Sequence, residues 1–115
     1  MERSRAAIYC RVDGGGDPEA RRELLALQRR ALERHAAAQG MQIAACYEDD
    51  GLPGCAPDRP GLARLMEDYD AGKFDQVLVV NRGRLYRGSR RGEPEWPFPI
   101  RSLNRLEQPA KKENR

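Results

Sequence analysis

Between Ala6 and Val80 the spacing of apolar residues switches repeatedly between a period of about two and one of about 3.6. That alternation limits the fold more than any other feature. Ala6 to Val12 reads as a strand, with Ile8, Cys10 and Val12 on one side and Tyr9, Arg11 and position 13 on the other. Asp17 to Gln39 reads as an amphipathic helix, with Asp17 as N-cap, Pro18 at its first turn and Gly40 as its stop. Its apolar stripe is read from Leu24, Leu27, Ala31 and Ala38. "MQIAACYED" from Met41 is a second strand. A helix from Pro60 or Gly61 carries Leu62, Leu65, Met66 and Tyr69 and ends near Gly72. "FDQVLVV" from Phe74 is a continuous apolar strand of the kind buried on both faces.

A β-α-β-α-β order predicts an α/β fold, a parallel sheet with right-handed crossovers. "FPIRSLNRL" adds a short last strand, giving about four, with Pro99 suited to its start or to an edge. "GSRRGEPEWPFP" reads as a linker and "EQPAKKENR" as a frayed end. The chain has 115 residues, enough for one modest core. No apolar run is long enough to span a membrane, and the opening "MERSRAAIYC" lacks a signal-peptide pattern. Cys10, Cys46 and Cys55 form no CxxC pair and read as reduced thiols, which places the protein in the cytoplasm. The single histidine, His35, reads as a packed helix residue, and no metal site of the His/Cys kind is expected.

In such sheets, ligands bind beyond the carboxyl ends of the strands. Those ends carry Arg11 and Asp13, then Asp49 and Asp50, then Asn81 to Arg87. Arg59, at the second helix, and Arg82, Arg84 and Arg87 would meet Arg11 at one edge. Converging guanidiniums match phosphate oxygens and stabilise charge developing in phosphoryl transfer. Charge is also divided along the chain. From Arg82 onward ten Lys/Arg face four Asp/Glu, a net +6, which leaves −3 for the residues up to Asn81 within a total of +3. The basic half is where a polyanion would bind. Gly14, Gly15 and Gly16 precede a helix N-terminus, but neither GxGxxG nor GxxxxGK[ST] is present, so they read as a plain turn.

"YCRV", "LLALQRRALERHAAAQG", "YEDDGLPG", "DRPGLARLM" and "DQVLVVNRGRLYR", in this order from about Ala6 to Arg87, resemble the N-terminal catalytic domain of serine recombinases, the resolvase/invertase family. The resemblance implies a resolvase-like three-layer α/β domain. It implies a serine that attacks a DNA phosphodiester, forms a 5′-phosphoserine link and needs no cofactor. It assigns Arg11, Arg59, Arg84 and Arg87 to the grip on the scissile phosphate, and Gln28 to their support. DNA, held through phosphate, and a homologous recombinase are the partners it implies; no membrane is among them, and the oligomeric state is left open.

The sequence departs from the family at decisive positions. Where the family has R-V-S, this chain has "RVD", so Asp13 stands in place of the nucleophilic serine. Gly83 replaces the acidic residue before "RLxR", and Pro53 replaces the serine of "DGxSG". A carboxylate facing a phosphodiester is an anion facing an anion, a difference of ~4 kcal/mol at about 4 Å and an effective dielectric near 20. An acyl phosphate would also be labile to water. Asp13 is therefore expected to pair with the arginines and to leave strand cleavage absent or very low. Cys10 faces away by alternation, and Ser89 lies beyond the motif, so neither substitutes for the serine. The chain is expected to form a truncated catalytic domain over residues 1–106, without the long dimerisation helix and the DNA-binding domain, followed by a flexible tail at 107–115. Two other readings remain open at this level. Asp13, Asp49 and Asp50 could hold Mg²⁺ for phosphotransfer or nuclease chemistry. Alternatively, the chain is a non-catalytic interaction module that pairs with a full recombinase through exposed apolar surface.

Overall fold

A computed structural model of the chain describes residues 4–51, 59–86 and 93–103. The elements run β1 (Arg5–Val12), α1 (Pro18–Ala38), β2 (Gln42–Asp50), α2 (Pro60–Asp70), β3 (Gln76–Val79), a 3₁₀ turn (Arg82–Arg84) and β4 (Ile100–Ser102). The four strands form one parallel sheet in the order β2-β1-β3-β4. The expected α/β architecture is therefore present.

β1 lies inside the sheet, which explains its composition: Ala6 to Val12 are all buried. Ala6, Ile8, Cys10 and Val12 pack with Leu25, Leu32, Ala36, Met41 and Leu78 in the layer of α1. Ala7 and Tyr9 pack with Leu65, Phe74, Val77, Val79 and Phe98 in the layer of α2. The chain runs outward from β1 to β2, then crosses back past β1 to β3. With crossovers of one hand, that reversal sends the helices to opposite faces. It also makes the carboxyl ends of β1 and β3 a switch point of the sheet, the place where crevices open.

Both helices stop by the same device. Gly40 (φ 70°) and Gly72 (φ 79°) take the left-handed conformation that a side chain disfavours. The amides that follow, of Met41 and Lys73, then reach back to the carbonyls of Ala36 (2.9 Å) and Asp68 (3.1 Å). Both helices start where expected, at Pro18 and Pro60. Asp17 occupies the N-cap of α1, yet its side chain makes no capping bond.

The buried stripe of α1 is also not the one expected. Leu25, Gln28, Leu32 and Ala36 face the sheet, whereas Leu24 and Leu27 are 50% and 54% exposed. The helix carries two apolar stripes, and the sheet selects the one that includes Gln28. The segment before β4 also corrects a linker reading over its described part. Phe98 is buried, Trp96 stacks on it at 5.8 Å, and the Trp96 indole N–H donates to Glu93 at 2.8 Å. β4 is an edge strand that starts right after Pro99, as its proline requires. Among the described residues, no helix is long and apolar enough to cross a membrane.

Candidate functional site

Arg11 is fully buried at the end of β1, an expensive place for a charge unless its donors are satisfied. They are satisfied by the main chain beyond β3 together with one carboxylate. Its Nε donates to the carbonyl of Arg84 at 2.9 Å and its Nη2 to that of Gly83 at 2.9 Å. Its Nη1 pairs with the carboxylate of Asp13, whose side chain is half exposed. Alternation along β1 brings the two together, since residues two apart share a side of the strand.

The backbone of Arg11 lies beyond the reach of β3, because the pairing of β1 with β3 ends at Ile8. Gln28 fills that gap. Its Oε1 accepts from the Arg11 amide (3.3 Å) and its Nε2 donates to the Arg11 carbonyl (3.0 Å). Arg84 returns a bond as well, from its Nη1 to the same carbonyl at 3.1 Å.

Arg59 enters from the start of α2 and is 5% exposed. Its Nη1 reaches the Arg84 carbonyl (3.3 Å) and the Tyr9 hydroxyl (3.4 Å), and its Nη2 donates to the Leu85 carbonyl. Arg11 and Arg59 thus meet on one carbonyl, that of Arg84. The predicted convergence holds for Arg11, Arg59 and Arg84. Arg87 lies outside the described residues, as do Pro53, Cys55 and Ser89.

Tyr9 and Asp49 also belong to this cluster, a role that motif and spacing do not give them, although alternation puts Tyr9 on the side of Arg11. The Tyr9 hydroxyl donates to Asp49 Oδ2 at 2.8 Å. Asp49 also accepts from the amides of Gly61 (2.7 Å) and Leu62 (2.9 Å), so it caps α2 from the neighbouring strand. Burial, then the bond to Asp49, holds the Tyr9 phenol well above its ordinary value, so it stays a neutral donor. Arg59, the residue before α2, offers no capping oxygen, but nothing near it in the sequence points to Asp49 as the substitute.

These bonds bear on the Mg²⁺ reading. Asp49 is spent on Tyr9 and α2, Asp50 pairs with Arg21 at 2.8 Å, and Asp13 pairs with Arg11. Among the described residues no group of three His, Cys, Asp or Glu side chains is placed to hold a metal. The glycine turn is likewise committed. The carbonyls of Gly15 and Gly16 accept from Arg21 at 2.9 and 3.2 Å, so the loop presents oxygens, not amides, to its neighbour. Cys10 is buried on the α1 side, and burial pushes its thiol up to about 12, which leaves it protonated at neutral pH.

An open groove of about 490 Å³ lies beside this cluster, lined by Asp13, Gly16, Leu24, Leu27, Val80 and Arg84 among others. The cluster carries its own anion. Two buried guanidiniums are fixed on backbone carbonyls, and the solvent-facing partner of the first is a carboxylate.

The class is that of parallel three-layer α/β domains, here with arginines gathered at the switch point of the sheet. Within that class the chain belongs to the resolvase family: the profile described as "Resolvase, N terminal domain" matches residues 6–91. Solved structures agree. The N-terminal catalytic domain of TP901-1 integrase is 34% identical, with a TM-score of 0.61 over 74% of this chain and 60% of that one. A resolvase family site-specific recombinase from Streptococcus pneumoniae is 27% identical, with a TM-score of 0.62 over 75% of this chain and 58% of that one. The C-terminal catalytic domain of ISC1926 TnpA, an IS607-like serine recombinase, shares the fold at 23% identity, with a TM-score of 0.71 over 94% of this chain and 79% of that one. The chain thus spans 60% of the integrase domain's length. No curated protein matches it.

Proposed function

We propose that this domain grips DNA phosphate weakly and does not cut it, because Asp13 occupies the place of the attacking hydroxyl. The observation that carries this reading is the ion pair between Asp13 and the buried Arg11. By family resemblance Arg11, Arg59, Arg84 and Arg87 are the phosphate ligands, with Gln28 as their support. A carboxylate already paired with Arg11 competes with a phosphodiester for the same guanidinium. It also repels the incoming anion and offers no hydroxyl for a phosphoserine link. The remaining affinity comes from guanidinium–phosphate pairs and falls steeply with salt.

Two measurements test this reading. The purified protein leaves supercoiled DNA unnicked, and Asp13→Ser binds short duplex DNA several-fold more tightly than the parent at low salt. Site-specific nicking by the parent that Asp13→Ala abolishes overturns the non-cutting half. Equal binding by parent and Asp13→Ser overturns the competition.

A further inference from the structure

The exposed stripe of α1 has the spacing of a helix–helix seam. Ala20, Leu24, Leu27 and Ala31 follow one another at intervals of four, three and four residues, which is the heptad pattern of a coiled coil. Leu24 and Leu27 at its centre are 50% and 54% exposed, and both line the groove beside Asp13. The charges around the stripe say what covers it. Asp17 and Arg34 sit one heptad beyond the two leucines, and Glu23 and Arg30 flank them on the solvent side. Among the described residues none of these four charged side chains forms an ion pair within α1 or with the rest of the fold.

A second α1 laid antiparallel, with Leu24 opposite Leu27, orders all of them. Ala20 then meets Ala31, Glu23 meets Arg30, and Asp17 meets Arg34, each pair occurring twice about a two-fold axis. A parallel, in-register pair would instead set Asp17 against Asp17 and Arg34 against Arg34. These four charges are thus complementary to their own copies in one orientation and repelled in the other.

We propose that the groove along α1 is a self-docking surface, at which two copies of this chain associate through antiparallel α1 helices. Leu24, Leu27, Glu23 and Arg30, which carry the seam, lie outside the arginine cluster and stand apart from the phosphate reading, although Asp13 and Arg84 line the same groove.

Sedimentation equilibrium of the full chain tests it. The parent chain forms a concentration-dependent dimer. Leu24→Gln with Leu27→Gln, both at exposed positions, gives a monomer with an unchanged circular dichroism spectrum. Glu23→Arg alone and Arg30→Glu alone each weaken the dimer about tenfold, by replacing two exposed ion pairs with two like-charge contacts. An equimolar mixture of these two variants restores dimer, now mixed. In the mixed pair the arginine introduced at position 23 meets the glutamate introduced at position 30, and the unaltered Arg30 of one copy meets the unaltered Glu23 of the other. A parent chain that stays monomeric at every soluble concentration overturns the proposal. So does a dimer indifferent to the leucine substitutions, or a mixture of charge variants that associates no better than either variant alone.

Discussion

The side-chain amide of Gln28 binds both backbone polar groups of Arg11, as a neighbouring strand would. It accepts from the amide at 3.3 Å and donates to the carbonyl at 3.0 Å. β3 is too short to reach that level of β1, so a helix residue completes the sheet. This is why a glutamine lies in the buried stripe of α1.

Gln28→Glu keeps the shape but loses the donor and sets an anion against the Arg11 carbonyl. Two buried bonds are at stake, so a loss of about 2–3 kcal/mol is expected, and Gln28→Ala costs a similar amount. Urea unfolding measures both. A change below the resolution of the midpoint would mean that water replaces Gln28 without penalty.

Asp49→Ala removes the cap of α2 and the acceptor of Tyr9 together, and about 2–3 kcal/mol should be lost. Asp49→Asn retains one acceptor oxygen but turns an N–H₂ toward donors, so it should recover little of that loss. Amide hydrogen exchange separates the two effects: Gly61 and Leu62 should lose protection before the rest of α2.

Alkali should unfold the protein through buried phenols and a buried thiol. Burial, then a carboxylate partner, raises the phenols of Tyr9 and Tyr47 above the ordinary 10.0, and burial raises the Cys10 thiol from 9.0 to about 12. Each is an acid whose folded value lies above its unfolded one. Each therefore contributes stability that is complete below the unfolded value and lost as pH rises above it. Stability should hold to about pH 9 and then decline. Tyr9→Phe should cost about 1–2 kcal/mol at pH 7, because Asp49 loses a donor, yet show a shallower decline above pH 10. Denaturant titrations across that range give the slope for each protein.

Gly61 has no room for a side chain. A Cβ there would collide with the Glu48 carbonyl and come within 2.9 Å of Asp49 Oδ2. The obstacle is strand backbone, so Gly61→Ala must push α2 away from β2, at a cost of about 1–3 kcal/mol. Because Arg59 immediately precedes α2, the same substitution should also loosen its contacts with the Arg84 and Leu85 carbonyls. A thermal midpoint equal to the parent's would show that the helix start yields freely.

What the sequence made legible follows from how local each signal is. Strand and helix periods, the glycine stops at Gly40 and Gly72 and a strand beginning just after Pro99 depend on neighbours within a few residues, and they were readable. Convergence of Arg11, Arg59 and Arg84 followed from the parallel topology. The choice between the two apolar stripes of α1 was not readable, because Leu24 and Leu25 are equal in hydrophobicity and only the sheet distinguishes them. The task of Asp49 was hidden for a similar reason: its partners, Tyr9 and the amides of Gly61 and Leu62, lie on two other elements. A carboxylate at a strand end looks the same whether it will hold a metal or cap a helix.

Anchorage on backbone shapes how such a domain changes over generations. Arg11 is held by the carbonyls of Gly83 and Arg84, which every amino acid supplies alike. Those two bonds therefore do not depend on which side chain stands at position 13, where the surface is half open to water. Residue 13 can drift between hydroxyl and carboxylate with little penalty in folding. An exchange of side chain at this point leaves those two backbone bonds, and the strand end they hold, in place.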